Sequence, residues 1–458
     1  MRLLTHYKLR VLACCAVLIS YCAPALSAPQ TPLTTPPIPT FAANINAGKI
    51  AAIADGDMLA QSYDTKQLAP ISAGFRDTLS VLYINNGKVL RKHRPLSNSV
   101  MAPPEILTLT NDGSLAFVIE TRGQGGSQSR SLNTLPAGQR LFAVDLATDA
   151  DLNLLDTITT LPFPEAVDVR QTSTTQVAVI ANSDHGSYLD IIDFTQKTFK
   201  HRQRFALKKY MPALTGDQRL IASNVHWHPT ADVLAINFNH RNQIAFFKLS
   251  SQNDTLALQR WGDPVAVGND PFVGRFTPNG RHYISANWGR NFQATTLSNR
   301  LPTTPSSLSV VQLAPFTPTQ KSPHHRVVDS ALSDISSEGI AISPDGTKLA
   351  TINMRGTALL PSAPDFTPDA SVSLFSLNPT TGKLKKRQDY PFAGLLPEGG
   401  SFDLSGEHLL VSVFEYANST TAEGGVEVFR VIDSETPHLE RLGRLPFPHG
   451  VHHVEVAP

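Results

Sequence analysis

The sequence predicts an all-β protein built as a seven-bladed β-propeller, closed by its C-terminal strand joining the N-terminal blade. Three observations carry this. A hairpin phrase recurs about every sixty residues, a period that sets the fold of a repeat protein. Each copy is followed by further strand-like runs, which makes four strands per unit. The chain also ends on an incomplete copy of the phrase, while its first unit lacks one.

The clearest copies are SEGIAISPDGTKLATIN at Ser337 to Asn353, EILTLTNDGSLAFVIE at Glu105 to Glu120 and EGGSFDLSGEHLLVSV at Glu398 to Val413. Looser copies open at Phe272, Ser223 and Glu165. In each, an apolar run, a tight turn and a second apolar run give the period-2 pattern of paired strands. Third strands follow as LFAVDL, LDIIDF, IAFFKL, LSVVQL, SVSLFSL and VEVFRV, and fourth strands as KLKKRQDY and HLERLGRL. The first unit holds Ile50 to Ala54 and then Asp77 to Pro95. The last residues, HGVHHVEVAP from His449, supply its missing strand and close the ring. Closure removes the two sheet edges that would otherwise invite aggregation. The alternative topology for such a period is an open β-solenoid.

The start of the chain reads as an export signal. Arg2, Lys8 and Arg10 precede an apolar core, Val11 to Cys22, that is too short for a membrane span. Ala25-Leu26-Ser27 offers a small-residue cleavage site before Ala28, and Ala23-Pro24-Ala25 a second one. A lipoprotein reading through Cys22 is opposed by bulky Tyr21. The organisation expected is therefore a signal peptide over 1–27, a Pro-rich linker over 28–43 and the propeller over 44–458. The product is expected in the periplasm or outside the cell, as a monomer. All three cysteines lie in the signal, so the rest of the chain has no means for disulfides, thiolate catalysis or iron–sulfur ligation. Three of the 39 basic residues and none of the 38 acidic ones lie there too, which leaves the remainder close to neutral. Nothing points to nucleic acid, and no later apolar stretch is long enough to span a bilayer.

Aligning the phrase on its turn glycines locates a candidate site. Glu105, Glu338 and Glu398 each lie eight residues before Gly113, Gly346 and Gly406. Glu165 takes the same place if its turn is two residues longer, and His452 takes it in the closing strand. The position precedes the innermost strand, so these side chains are expected to ring one mouth of the central channel. The second strand returns to that mouth and ends near Arg122, Asn287, Arg290, Asn353 and Arg355. The insertions Gly123 to Gln139, Asn291 to Ser306, Gly356 to Asp369 and Ala417 to Gly424 emerge on the same face. Crowded carboxyls raise one another's pKa, and Arg grips anions through paired hydrogen bonds. Glu338, Glu398 and His452 are the candidate catalytic groups. Glu105, Glu165, Arg122, Arg290, Arg355, Asn287 and Asn353 are the candidate ligand contacts. The competing reading makes the glutamates blade-to-blade fasteners and the asparagines turn-binding groups.

His226-Trp227-His228 and His449, His452 and His453 raise a metal site as an alternative, but no compact ligand motif exists and no metal or cofactor is expected. No G-x-S-x-G elbow, P-loop or dinucleotide fingerprint is present. Asn253 and Asn418 begin glycosylation sequons.

The grammar of SPDGTKLATIN, VIANSDHGSYLDIIDF and FTPNGRHYISANWG resembles the lactonase-like, YVTN-type propellers, which include 6-phosphogluconolactonase-like proteins. The resemblance covers Asn44 to Pro458. It implies either a binding protein or a lactone hydrolase, acting on an anionic or lactone-like small ligand or on a protein partner at the mouth. In a hydrolase, a Glu or His452 would activate water while Arg290 or Arg355 steadied the oxyanion.

Overall fold

The computed structural model describes residues 36–147, 151–171, 177–212, 220–253, 255–315, 323–417 and 423–458. The expected signal segment, the first part of the Pro-rich stretch and the second sequon lie outside these.

The described strands form seven antiparallel sheets, each with a four-strand path. Blade 1 is built from Val451–Ala457 innermost, then Lys49–Ala54, Thr78–Asn85 and Lys88–Pro95. The C-terminal strand pairs antiparallel with Lys49–Ala54, in a register that sets Ala51 against Glu455 and Ile53 against His453. The expected closure is therefore present. Blades 2 to 7 have innermost strands Leu107–Leu109, Ala166–Gln171, Ala222–Trp227, Pro271–Phe276, Ser337–Ile342 and Gly400–Phe402.

Burial follows from the stacking. A middle strand has a neighbouring blade on each face, so Lys348–Asn353 and His408–Val413 are buried along their whole length. The outermost strands face water on one side. Leu384–Ala393 accordingly mixes buried and exposed positions, as its charged sequence KLKKRQDY requires. The turns work as their residues suggest. Gly113, Gly346 and Gly406 have φ of 63°, 70° and 73°, in the left-handed region that glycine enters without a Cβ penalty. In two of them an aspartate side chain accepts from the backbone two residues on: Ser114 N lies 3.0 Å from Asp112 Oδ1, and Thr347 N 3.0 Å from Asp345 Oδ1.

The end of the Pro-rich stretch is not a free tether. Ile38 and Phe41 pack against the apolar core between blades 7 and 1, and Ala42 is fully buried. Arg91 holds the path by donating to Pro36 O at 3.2 Å and Pro446 O at 2.8 Å.

Candidate functional site

In four blades the aligned position lies at a cavity of about 330 Å³. Glu165, Ser223, Phe272 and Glu338, which hold the equivalent place in blades 3 to 6, all line it. The rest of the wall comes from insertions. The segment between Ala54 and Thr78 contributes Tyr63 and Lys66. The blade 5 insertion contributes Phe292 and the short helix Leu297–Arg300, and blade 6 contributes Met354 and Ala358. The helices Ser62–Thr65 and Leu297–Arg300 meet across the opening.

The wall is aromatic with a few charges. Arg290 pairs with Asp270 through two hydrogen bonds, Nε to Oδ2 at 2.7 Å and Nη2 to Oδ1 at 3.0 Å. Its guanidinium also lies 3.9 Å from the Trp288 ring centroid and 4.3 Å from that of Phe272. That is the planar stacking an Arg allows and a Lys does not. Arg290 is thus already fixed by protein groups. Arg300 is different. It sits 5.6 Å from the Phe292 centroid and lines the cavity, yet makes no side-chain hydrogen bond or ion pair with a described residue. Burial and the nearby Arg290 both lower its pKa.

The aligned acids and His452 divide into three kinds. Glu338 is 3% exposed, lines the cavity and leaves Oε2 without a hydrogen-bond partner. Burial pushes its carboxyl up to about 8, against the pull of Arg290. Glu398 is fully buried with neither oxygen hydrogen-bonded, and burial, then Glu338, then Asp55 hold it well above the usual carboxylate range. Burial thus favours the protonated form of both carboxyls.

Glu105 is the second kind. It does not line the mouth cavity. It pairs with Arg275 of blade 5 inside the channel, and its Oε2 lies 3.2 Å from His226 Nε2 of blade 4. Asp168 of blade 3 completes the network, with Oδ2 3.2 Å from His226 Nδ1 and 2.7 Å from Trp227 N. Burial would raise the Glu105 pKa, but Arg275 and His226 overcome it and hold the carboxyl at about 2. One carboxylate thereby ties blade 2 to blades 4 and 5, the fastening role weighed for this position.

Glu165 and His452 are the third kind. Glu165 faces the cavity with His185 Nδ1 3.5 Å away. His452 is fully buried, its Nε2 2.8 Å from Asn98 Oδ1, and burial holds its pKa well below the usual value. It is neutral and does not line the cavity.

The second-strand residues reach the mouth unequally. Asn287 and Asn353 are 1% and 0% exposed and point into their own blades. Asn353 Nδ2 donates to Ser371 Oγ at 3.1 Å and Ser373 Oγ at 3.0 Å, while Oδ1 accepts from Ser337 at 2.6 Å and Thr351 at 2.9 Å. Asn287 repeats this with Ser285, Ser307 and Ser309. These amides are satisfied by hydroxyls, so the expected ligand contact gives way to a blade-stabilising one. Arg122 stacks on Phe163 at 4.6 Å, and Arg355 turns to Asp334 and Asp369 O. Neither lines the cavity.

The sequence reading missed Arg300, Tyr63 and the Arg275–His226 partnership. An S-x-S pattern facing T-x-N or S-x-N on the preceding strand is the signal that could have identified the asparagines.

At the other end of the channel, Arg275, His453 and Glu455 line a smaller cavity of about 190 Å³. Glu455 Oε2 accepts from Leu109 N at 2.9 Å.

Fold and closure together define a seven-bladed β-propeller. Solved structures of the same fold include a periplasmic gluconolactonase from Pseudomonas aeruginosa, at 14% identity and TM-score 0.55, covering 89% of this chain and 99% of the other. They also include a candidate 6-phosphogluconolactonase from Bacteroides uniformis, at 15% identity and TM-score 0.57 over 89% and 99% of the two chains. A functionally unknown protein from Desulfotomaculum acetoxidans gives 13% identity and 0.57 over 90% and 99%. No family model and no curated protein matches the sequence. At these identities the likeness is one of fold.

Proposed function

We propose that this chain is an exported propeller that binds a small organic anion in the mouth cavity. The observation that carries this reading is Arg300, a guanidinium in the cavity wall that makes no ion pair with a described residue, its nearest acid, Asp270, being held by Arg290. Arg290 next to it is neutralised by Asp270, which leaves Arg300 and Lys66 as the lining cations outside an ion pair, and of the two only Arg300 carries a planar fork of donors. A carboxylate or phosphate accepts two hydrogen bonds from such a fork. Trp288, Phe272 and Phe292 offer apolar contact to the body of the ligand, and protonated Glu338 offers a hydrogen-bond donor. The volume suits a ligand of sugar-acid size. Export is supported by the basic, apolar and small-residue order of the first 27 residues.

A second reading adds turnover. A proton-bearing Glu338 can donate to the carbonyl or ring oxygen of a lactone, and Glu165 is the other acid of the lining, available to take a proton from water. The gluconolactonase named among the structural relatives favours this chemistry over other hydrolyses.

A thermal-shift screen of aldonates, sugar phosphates and neutral sugars tests binding, with a panel of aldonolactones assayed alongside for ring opening. Stabilisation by the anions alone supports the binding reading. Stabilisation by none of the three classes contradicts it. Ring opening that Glu338→Gln abolishes without changing the melting temperature supports the second reading.

A further inference from the structure

The wall of the mouth cavity is chemically uneven. Blades 3 and 4 supply the polar side chains Glu165, Ser223, Asn239 and His240. Much of the remaining wall is apolar. There Met101, Leu297, Leu301, Met354 and Leu396 line the cavity, and all five belong to, or pack against, one continuous apolar cluster. Arg300 stands where the two regions meet. It lies 5.6 Å from the Phe292 ring centroid, and that ring stacks on His240 at 3.9 Å. On its other side, Leu297, Arg300 and Leu301 are spaced i, i+3, i+4, which puts them on one face of the same helical turn. All three line the cavity, so a group held by the guanidinium lies beside two leucines.

A separate observation concerns the polar groups themselves, most of which are already used by the protein. Ser223 Oγ donates to Phe272 O at 2.7 Å, and Tyr63 Oη to Val100 O at 2.7 Å. Asn239 Oδ1 accepts from His240 N at 2.9 Å, and Thr296 Oγ1 from Asn299 N at 3.4 Å. Arg290 is held by Asp270. A ligand with many hydroxyls would give up water at each of them and meet few free partners, a loss at every unmatched group. A ring or alkyl chain has no such loss and gains by leaving water.

We propose, resting on the anion reading above, that the cavity prefers a carboxylate with an apolar body, an aryl or alkyl acid rather than a polyhydroxylated one. The carboxylate sits on Arg300, and the body lies against Leu297, Leu301, Met354 and Leu396. An aldonate still meets Arg300 and binds, but less tightly.

The test is calorimetric titration of the full chain with phenylacetate, hexanoate, gluconate, acetate and the neutral phenylacetamide. Phenylacetate and hexanoate should bind about ten- to a hundredfold tighter than gluconate, the effect of burying one ring or chain. Phenylacetamide should bind at least tenfold more weakly than phenylacetate. Leu297→Ser should weaken phenylacetate about tenfold more than it weakens acetate. Gluconate binding as tightly as phenylacetate would overturn the inference and leave the anion reading standing. Equal binding of phenylacetamide and phenylacetate would contradict the anion reading itself, and overturn the inference with it. Equal losses for phenylacetate and acetate in Leu297→Ser would overturn the placing of the body on this helix. If that variant does not fold, the ligand comparison on the unaltered protein decides.

Discussion

Glu338 and Glu398 hold equivalent positions in adjacent blades, and each bears a buried carboxyl oxygen without a hydrogen-bond partner. Glu338 also raises the pKa of Glu398. Glu105, at the same place in blade 2, meets Arg275 and is held at about 2. One repeat position thus serves two opposite ends, a proton held at the mouth and a charge held in the channel. The partner supplied by the neighbouring blades decides which.

The Glu338 carboxyl, raised from 4.5 to about 8, gives stability that is full below about pH 4.5 and is lost as pH rises through 8. Glu338→Gln keeps the shape and removes the titration. The variant should therefore lose less stability than wild type between pH 5 and 9, by a few kcal/mol at roughly 1.4 kcal/mol per pKa unit. Melting temperature against pH for both proteins measures this. Parallel curves would mean that Glu338 is ionised in the native state.

Glu105 has the opposite sign. Its depressed pKa gives stability that is present above about pH 4.5 and is lost as pH falls towards 2. Glu105→Gln leaves Arg275 buried beside a neutral group and should cost about 3–5 kcal/mol at neutral pH. A double-mutant cycle with Arg275→Met should recover much of that cost. Additive costs would argue against the cross-channel pair.

Asn353→Ala leaves four hydroxyls to find new partners inside blade 6. Urea denaturation should show a loss of about 2–3 kcal/mol, with ligand affinity unchanged because the residue does not reach the cavity. A selective loss of binding at unchanged stability would return Asn353 to the list of ligand contacts.

The export reading is checked by N-terminal sequencing of protein recovered from the periplasm or medium of a bacterial host. Cleavage before Ala28 is expected. An uncleaved protein in the cytoplasm would contradict it.

The fold was legible because its signals are local. Turn glycines, alternating strands and one surplus strand sit within short windows, and their spacing implies closure. The mouth was legible for the same reason, since the repeat fixes which end of each innermost strand is which. Partnerships were not. Arg275 lies 170 residues from Glu105 and joins it only through the curvature of the ring. Arg300 belongs to an insertion whose sequence does not match the insertions of other blades, so alignment assigns it no place. The asparagines at the second-strand ends were visible, but their serine partners lie on the next strand and drew the side chains inward.

The account turns on Arg300 as the guanidinium of the cavity wall that stands outside an ion pair. The direct measurement is calorimetric titration of wild type and Arg300→Gln with the best-stabilising anion from the screen, at low and at physiological salt. The account predicts an affinity loss of about ten- to a hundredfold, the equivalent of one charged hydrogen-bonded contact, with melting temperature unchanged. Equal affinities for the two proteins would contradict it.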